Sequence, residues 1–179
     1  MNNSYTLTAK ILHWLMAAIF IFVWCLAFYS NHLIFDTNTD ALQHTLIGLH
    51  KNIATTIIFL FFIRIFWRYT HPAPKLPDTM SPIMKKLAHI MHIILYLALI
   101  LMPITGCLLS WSAGYQAPVL YLFNLPDIIQ KNPELKAILK PTHVYLSWVV
   151  GVMVIGHIAS ALKHRFIDKD SVFNSMMFK

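Results

Sequence analysis

Ten histidines occur in this chain of 179 residues, and seven of them fall in or at the ends of long apolar segments. An ionisable side chain is costly in hydrocarbon, so it normally faces the interior of a helical bundle and has a partner or a function there. A single histidine at a helix end is as readily explained as a hydrogen-bonded or headgroup-level side chain. The arrangement of the seven is therefore more informative than any one of them. They are His13, His50, His89, His92, His143, His157 and His164.

Two of these histidines lie on the last apolar segment at opposite depths. Fourteen residues separate His143 from His157, which in a helix is roughly 21 Å along the axis and about 3.9 turns. Both side chains therefore point to nearly the same face. The chain direction places His13 on the same side of the membrane as His157, and His50 on the same side as His143. We predict two pairs of histidines, each formed between two helices.

Two facing imidazoles with no Cys, Asp or Glu beside them suit the two axial positions of a haem iron, whereas zinc usually has more protein ligands. Two histidine ligands fill the coordination shell and favour electron transfer over oxygen binding. The chain has no CxxCH motif, so the haem would be of the b type. Arg64 follows His50 by 14 residues and lies near the inner pair. It is a candidate to bind a haem propionate, or it is a charge that sets topology.

The elements that position these histidines are predicted to be membrane-spanning helices. Apolar residues make up 58% of the chain and charged residues 12%, far from the composition of soluble domains. Four apolar segments are long enough to cross a bilayer, near residues 9–29, 46–68, 84–112 and 142–165. The sequence predicts an all-α fold, a single integral membrane four-helix bundle in contact with lipid. The net charge of +7 comes from Lys and Arg residues at the helix ends. These residues form no basic amphipathic patch of the kind that binds nucleic acid.

Lys and Arg residues set the expected orientation. Ten lie on the side of the two termini and four on the other, which places both termini in the cytoplasm. The first outer loop, residues 30–45, carries Asp36 and Asp40 and no Lys or Arg. In the long outer connection, residues 113–141, Asn132 begins a cap pattern that predicts a short extra helix before the fourth span. Pro103 predicts a kink in the third span.

Four stretches of the sequence resemble the bacterial cytochrome b561 family of di-haem membrane proteins, over essentially the whole chain. The stretches are "ILHW", "GLHKNIATTIIFLFFIRIFWRYTHPAP", "KKLAHIMHIILYLALILMPITG" and "THVYLSWVVGVMVIGHIASALKHRF". "HKNIA" departs from the more usual "HKS-I-G" but keeps the histidine and the lysine. The resemblance implies two non-covalent haem b groups, with His13 and His157 as axial ligands of the inner iron and His50 and His143 as those of the outer iron.

The resemblance also implies a quinone site on the inner side and oxidation of superoxide on the outer side, with ubiquinone as electron acceptor. His164 matches a position that the family places near the quinone, where it would bind the quinone or donate a proton to it; otherwise it is an interfacial histidine. Superoxide is an anion, so positive potential near the outer haem would raise the encounter rate. We expect His89 and His92 to line the quinone region or to meet headgroups; the alternative is that they replace or assist the inner ligands. Candidates for steering are Lys51, Lys131, Lys136 and Lys140, unless they are simply solvated charges.

Three functions are consistent with these residues, and the family resemblance implies the first of them. The first is a superoxide:ubiquinone oxidoreductase of the bacterial inner membrane, in which electrons pass from superoxide, or another one-electron donor, to the outer haem, the inner haem and ubiquinone. The second is a haem-b membrane anchor subunit of a larger dehydrogenase or quinol-linked respiratory complex. The third is a module whose histidines bind a metal or only support the structure. The sequence leaves the donor, the haem potentials and the oligomeric state open.

Overall fold

Long helices account for most of the computed structural model, which describes residues 4–32 and 40–178. Four segments are long and apolar enough to span a membrane: Leu7–Asn31, Ala41–Thr70, Pro82–Ser112 and Pro133–Asp168. The predicted all-α bundle with four spans is therefore confirmed. The helices are α1 (Leu7–His32), α2 (Asp40–Ala54), α3 (Thr56–Thr70), α4 (Pro82–Ser112), α5 (Pro133–Lys163) and α6 (Val172–Met176).

The spans pack as neighbours around the bundle. Helix α1 lies against α2 and α3, α3 lies against α4, and α4 lies against α5. Trp24 of α1 reaches α5, where its indole N–H donates to the carbonyl of Ser147 at 3.2 Å. The indole also rests against Gly151, which offers no side chain there. Many large apolar side chains of the spans are exposed, as expected where the surrounding medium is hydrocarbon.

The second span is interrupted at Thr55, between α2 and α3. The Thr55 hydroxyl donates to the carbonyl of Lys51 at 2.7 Å, and the Thr56 hydroxyl donates to the carbonyl of Ile53 at 2.6 Å. Threonine hydroxyls that bond back to the preceding turn compete with the backbone ladder and bend helices. The span therefore continues to Thr70, with a break in the regular helix about one turn after His50.

The outer connection differs from the sequence prediction. Asn132 does cap a helix, since its side chain accepts from the backbone N–H of Leu135 at 2.9 Å, and Pro133 occupies the first turn. The helix is not a separate short one, however, because it continues through Pro141 as the outer end of α5. The proline removes the donor for the Ala137 carbonyl. Ala137 is exposed, so water can satisfy that carbonyl.

A two-stranded antiparallel hairpin, β1 (Ala117–Val119) and β2 (Phe123–Leu125), occupies the middle of this connection and was not predicted. Its turn contains Leu120 and Tyr121, both with positive φ (49° and 58°), which is unfavourable for residues with a Cβ. Asn52 of α2 holds the turn. Its side-chain oxygen accepts from Tyr121 N–H at 2.7 Å, and its backbone carbonyl accepts from Leu120 N–H at 3.1 Å.

Other features concern the start of α4, the predicted kink and the first outer loop. Ser81 caps α4 by accepting from the backbone N–H of Met84 at 3.3 Å. Pro103 lies inside α4, which runs on past it to Ser112, and the kink remains a prediction. Asp36 lies outside the described residues, and Asp40 begins α2.

The C-terminal segment folds back onto the start of α1. A π-helical turn at His164–Asp168 and a left-handed residue at Lys169 precede α6. Backbone carbonyls at the end of α6 and just after it accept hydrogen bonds from side chains of α1. Lys10 Nζ donates to the Met177 carbonyl at 2.7 Å, and Trp14 Nε1 donates to the Met176 carbonyl at 3.0 Å. The two ends of the described chain therefore lie at the same end of the bundle.

Candidate cofactor site

The outer pair of histidines comes from α2 and α5. His50 and His143 are close enough to interact electrostatically. The Nδ1 atom of His50 lies 2.9 Å from the carbonyl of Val23 on α1. A carbonyl only accepts, so Nδ1 carries the hydrogen and Nε2 keeps its lone pair. This is the tautomer that a metal-binding histidine requires when its second nitrogen is fixed by an outer partner.

His143 is fixed in the same way by α4. Its Nδ1 lies 2.8 Å from Thr105 Oγ1, and that hydroxyl donates to the Met102 carbonyl at 2.9 Å. Because the hydroxyl hydrogen is already used, Thr105 accepts from Nδ1–H of His143. The Nε2 lone pair of His143 therefore remains available as well. Both outer imidazoles are oriented by the protein in the form that binds iron.

Gly106 explains how His143 approaches α4 so closely. A Cβ atom at this position would lie 3.3 Å from Cε1 of His143, tighter than ordinary van der Waals contact. Glycine is needed here for close approach of a ring rather than for an unusual backbone conformation. Gly106 therefore makes room for the His143 ring, and the neighbouring Thr105 orients that ring through its hydrogen bond.

The inner pair joins α1 and α5. The ring centres of His13 and His157 are 6.2 Å apart, with their planes at 69°. Two imidazoles that share one metal ion, each bonded through nitrogen at about 2 Å, have ring centres roughly 6 Å apart. The observed spacing therefore suits two axial ligands. The side chain of Arg64 on α3 reaches this pair, with Nη2 3.4 Å from His13 Nδ1.

A third imidazole lies beside the inner pair. His92 of α4 has its ring centre 5.4 Å from that of His157. Among residues 4–32 and 40–178, however, these three rings do not form a group whose ligand nitrogens all converge within 4.8 Å. A small ion such as zinc needs such convergence. The arrangement is better matched to a large planar cofactor that two opposed ligands hold at its centre.

The outer lysines fall into two groups. Lys136 and Lys140 are exposed and precede His143 by seven and three residues, so they lie on its face of α5, about two turns and one turn further out. Lys51 is half-buried, with its Nζ 4.6 Å from the centre of the Tyr115 ring. Lys131 packs its methylenes where a side chain at Gly114 would lie. The first group forms a cationic stripe that leads to His143.

His164, which we predict to bind a quinone or to donate a proton to it, lies directly after α5 and contacts two carboxylates. It is only 5% exposed, and its Nδ1 lies 2.7 Å from Asp170 Oδ2 and 3.2 Å from Asp168 Oδ2. Lys163 pairs with both oxygens of Asp168 at 2.6 and 2.7 Å. Asp170 also accepts from the backbone N–H of Val172. These contacts anchor the turn into α6.

A profile of the prokaryotic cytochrome b561 family matches residues 4–179. The chain belongs to this family. Among curated relatives, it is 30% identical over 177 residues to cytochrome b561 homolog 2 of Escherichia coli (strain K12), covering 99% of this chain and 93% of that one. It is 27% identical over 180 residues to the probable superoxide oxidase CybB of Yersinia pestis, covering 100% and 98%. A third relative, cytochrome b561 homolog 1 of Escherichia coli (strain K12), is 27% identical over 72% of each chain.

Membership of the cytochrome b561 family implies haem b binding, electron transfer and a multi-pass membrane protein. The described geometry brings together His13 with His157 and adds Arg64 to that pair. Sequence reasoning missed Thr105 and the Val23 carbonyl as partners of the outer imidazoles. Thr105 could have been found from the sequence, because it directly precedes a glycine in a span and a threonine hydroxyl can orient a facing imidazole. Nothing in the sequence identifies the Val23 carbonyl as a partner.

Proposed function

We propose that this cytochrome b561 protein binds two haem b groups and transfers electrons from superoxide at the outer face to ubiquinone at the inner face. The observation that carries the proposal is the arrangement on α5. His143 and His157 lie on one helix, roughly 21 Å apart along its axis. The ring of His13 on α1 lies 6.2 Å from that of His157, and His50 on α2 is near enough to His143 to act on it electrostatically. Two haem b groups supply, when bound, reversible one-electron chemistry at two depths of the membrane.

The residues of the chain would bind and orient these groups. His50 with His143, and His13 with His157, would be the axial ligands of the outer and inner iron. The hydrogen bonds at Nδ1 of the two outer imidazoles support this assignment, because they fix the ring orientation and leave Nε2 available. The Arg64 guanidinium beside the inner pair would bind a propionate carboxylate, a geometry that arginine favours.

The stoichiometry requires two donors for each acceptor. Two superoxide anions lose one electron each and leave as two molecules of O₂, and one ubiquinone takes up two electrons and two protons to become ubiquinol. The stripe formed by Lys136 and Lys140 supports an anionic donor, because positive potential along an approach path raises the encounter rate. Lys51 would contribute to the same field. The name of the relative from Yersinia pestis, probable superoxide oxidase, is consistent with this donor.

The remaining parts of the proposal concern placement in the cell. The whole chain would act as one transmembrane cytochrome domain in the bacterial inner membrane, in contact with lipid. Both termini would face the cytoplasm, since Lys and Arg concentrate on their side of the bundle. Protons for ubiquinone would then come from the cytoplasmic side.

The test is rapid mixing of the purified, haem-loaded protein with superoxide, with and without a soluble ubiquinone. We expect haem reduction faster than the spontaneous decay of superoxide, followed by reoxidation when quinone is present. Reduced-minus-oxidised spectra with haem stoichiometry on wild type, His143→Ala and His157→Ala should reveal two haems, with each substitution removing a different one. Absence of haem reduction above the spontaneous rate would refute superoxide as donor. A co-purifying flavin or iron–sulfur protein would instead favour a membrane anchor subunit.

A further inference from the structure

The end of the outer hairpin carries a run of exposed apolar side chains. Strand β1 buries Ala117 and Val119 against the bundle, so the hairpin is fixed to the protein along one side. The turn and the start of β2 expose four consecutive large side chains, with Leu122 exposed to 77%. Contiguous apolar surface of this kind marks a contact with a partner or a membrane. These four residues, named the hairpin tip below, are Leu120, Tyr121, Leu122 and Phe123.

The hairpin has the charge pattern of a membrane span rather than that of an aqueous loop. From residue 87 to residue 126 the chain contains no Asp, Glu, Lys or Arg. The uncharged stretch that forms most of α4 therefore continues through the whole hairpin, and charged residues return at Asp127, directly after it. Charged side chains are the groups that hydrocarbon excludes most strongly. The composition of the hairpin is thus compatible with immersion in lipid.

Two contacts place the tip beside the second span. Backbone N–H groups of the tip meet Asn52, and the ring centre of Phe123 lies 6.2 Å from that of Phe59 on α3, in an edge-to-face arrangement. Both partners belong to the apolar segment 46–68, which the sequence predicts to cross the membrane. Asn52 lies six residues into this segment, roughly 9 Å along the helix axis. The hairpin therefore folds back alongside the span instead of extending away from it.

The tip extends an apolar surface of α3. Phe59 is exposed, and so are Phe62, Ile63 and Phe66 further along the same helix. Large apolar side chains on the outside of a membrane-spanning helix contact acyl chains. Because Phe123 packs on the ring of Phe59, the hairpin tip lies next to the lipid that this part of α3 contacts.

The protein, rather than water, satisfies the backbone of the tip. The N–H groups of Leu120 and Tyr121 donate to the carbonyl and the side-chain oxygen of Asn52 at 3.1 and 2.7 Å. The N–H of Leu122 donates to the carbonyl of Val119 at 2.9 Å. Non-helical backbone is tolerated at membrane depth only where protein groups take up its hydrogen bonds. Asn52 therefore gives the turn what it needs in a medium without water.

We propose that the hairpin tip inserts among the acyl chains of the outer leaflet, so that the outer connection binds the lipid surface beside α3. Lipid is the partner that fits best, because the tip is uncharged, its backbone donors are satisfied and it continues an apolar surface of a span. Tyrosine at this level is also typical of membrane interfaces, since its ring is apolar and its hydroxyl polar. The inference concerns the lipid contact and holds whatever molecule donates the electrons.

The experiment reconstitutes the haem-loaded protein in phosphatidylcholine vesicles that contain a phospholipid with a trifluoromethyl-phenyl diazirine on one acyl chain. Illumination attaches the probe to residues that touch acyl chains, and mass spectrometry of the digested protein locates it. We expect label at residues 120–123 as well as on the exposed side chains of α3. Labelled α3 with an unlabelled tip would overturn the proposal, because the probe would have reached the neighbouring lipid but not the hairpin.

Substitutions separate insertion from mere proximity. Leu122→Asp changes a side chain with little packing to lose, and it should lower labelling of the tip by about 10-fold, because hydrocarbon disfavours a carboxylate. Ile128→Asp is the matched control, since Ile128 is 70% exposed in the same connection, and it should leave labelling of the tip unchanged. Haem content and difference spectra should equal those of wild type in both variants.

The other occupants of this surface give different results. Equal labelling of the tip in wild type and Leu122→Asp would contradict insertion. An unlabelled tip, together with a wild-type dimer that Leu122→Asp converts to a monomer, would show that a second copy of the chain covers the tip. An unlabelled tip that reacts with a water-soluble carbene precursor would place it in the aqueous phase. Each of these results would refute the proposal.

Discussion

Replacing Thr105 with valine tests whether α4 prepares His143 to bind iron. Valine has nearly the shape of threonine but no hydroxyl, so the Nδ1–H of His143 loses the acceptor that lies 2.8 Å away. The Thr105 hydroxyl also donates to Met102, but that carbonyl keeps its helical backbone donor. The substitution therefore removes one specific interaction of the imidazole and little else.

The expected size of the effect follows from the burial of that hydrogen bond. Leaving a buried donor without an acceptor costs about 1–3 kcal/mol. Loss of an outer partner of a metal-bound histidine typically weakens binding by about 10- to 100-fold. We expect Thr105→Val to lower the affinity for the outer haem by that factor. The inner haem, whose candidate ligands are on α1 and α5, should be unaffected.

The assay is haem titration of the apoprotein in detergent, followed by reduced-minus-oxidised difference spectra and redox titration. The outer haem should also become easier to reduce, because an imidazole without an acceptor at Nδ1 donates less electron density to ferric iron. Thr105→Ser keeps the hydroxyl and should resemble wild type. Equal haem affinity and equal midpoint potentials in the valine and serine variants would refute the reasoning.

Three further outcomes are expected. Gly106→Ala places a Cβ 3.3 Å from the His143 ring and should reduce outer haem occupancy while retaining the inner haem, as measured by pyridine haemochrome and difference spectra. The double substitution Lys136→Gln and Lys140→Gln should slow haem reduction by superoxide and flatten its dependence on ionic strength, whereas unchanged rates at low salt would exclude steering by this stripe. Tyr121→Gly should relieve the strain of a positive φ of 58° and raise the thermal midpoint by an amount equivalent to about 1 kcal/mol, and a lower midpoint would contradict this.

The spans and the depth of the histidines could be predicted because they depend on local properties. Length and apolar composition fix a transmembrane helix, and the helical rise fixes the separation of His143 and His157. Asn132 followed by proline identified a helix start correctly, but the sequence predicted a short extra helix before the fourth span, whereas one helix runs from Pro133 to Lys163. The helix continues because its outer turns are exposed and tolerate an unpaired carbonyl.

The hairpin could not be predicted because its turn depends on a distant residue. Leu120 and Tyr121 lack the Asn or Gly that marks a tight hairpin turn. The conformation persists because Asn52, 69 residues before Tyr121, accepts from its backbone N–H. Asn52 lies two residues after His50, where "HKNIA" departs from the more usual "HKS-I-G". The residue that departs from the family motif is therefore the one that holds the turn of the hairpin.

The candidate ligands differ in the group that lies next to the Nδ1 atom of the imidazole. Oxygen acceptors hold Nδ1–H of both His50 and His143, so those rings have the iron-binding tautomer before any cofactor arrives. At His13 the neighbour of Nδ1 is Arg64, which only donates. This ring therefore accepts at Nδ1, and its neutral form carries hydrogen on Nε2. As an axial ligand through Nε2, His13 would need an acceptor at Nδ1 rather than the donor that lies there. The Arg64 guanidinium would instead hold a propionate carboxylate of the same group, which is the partner that its charge favours.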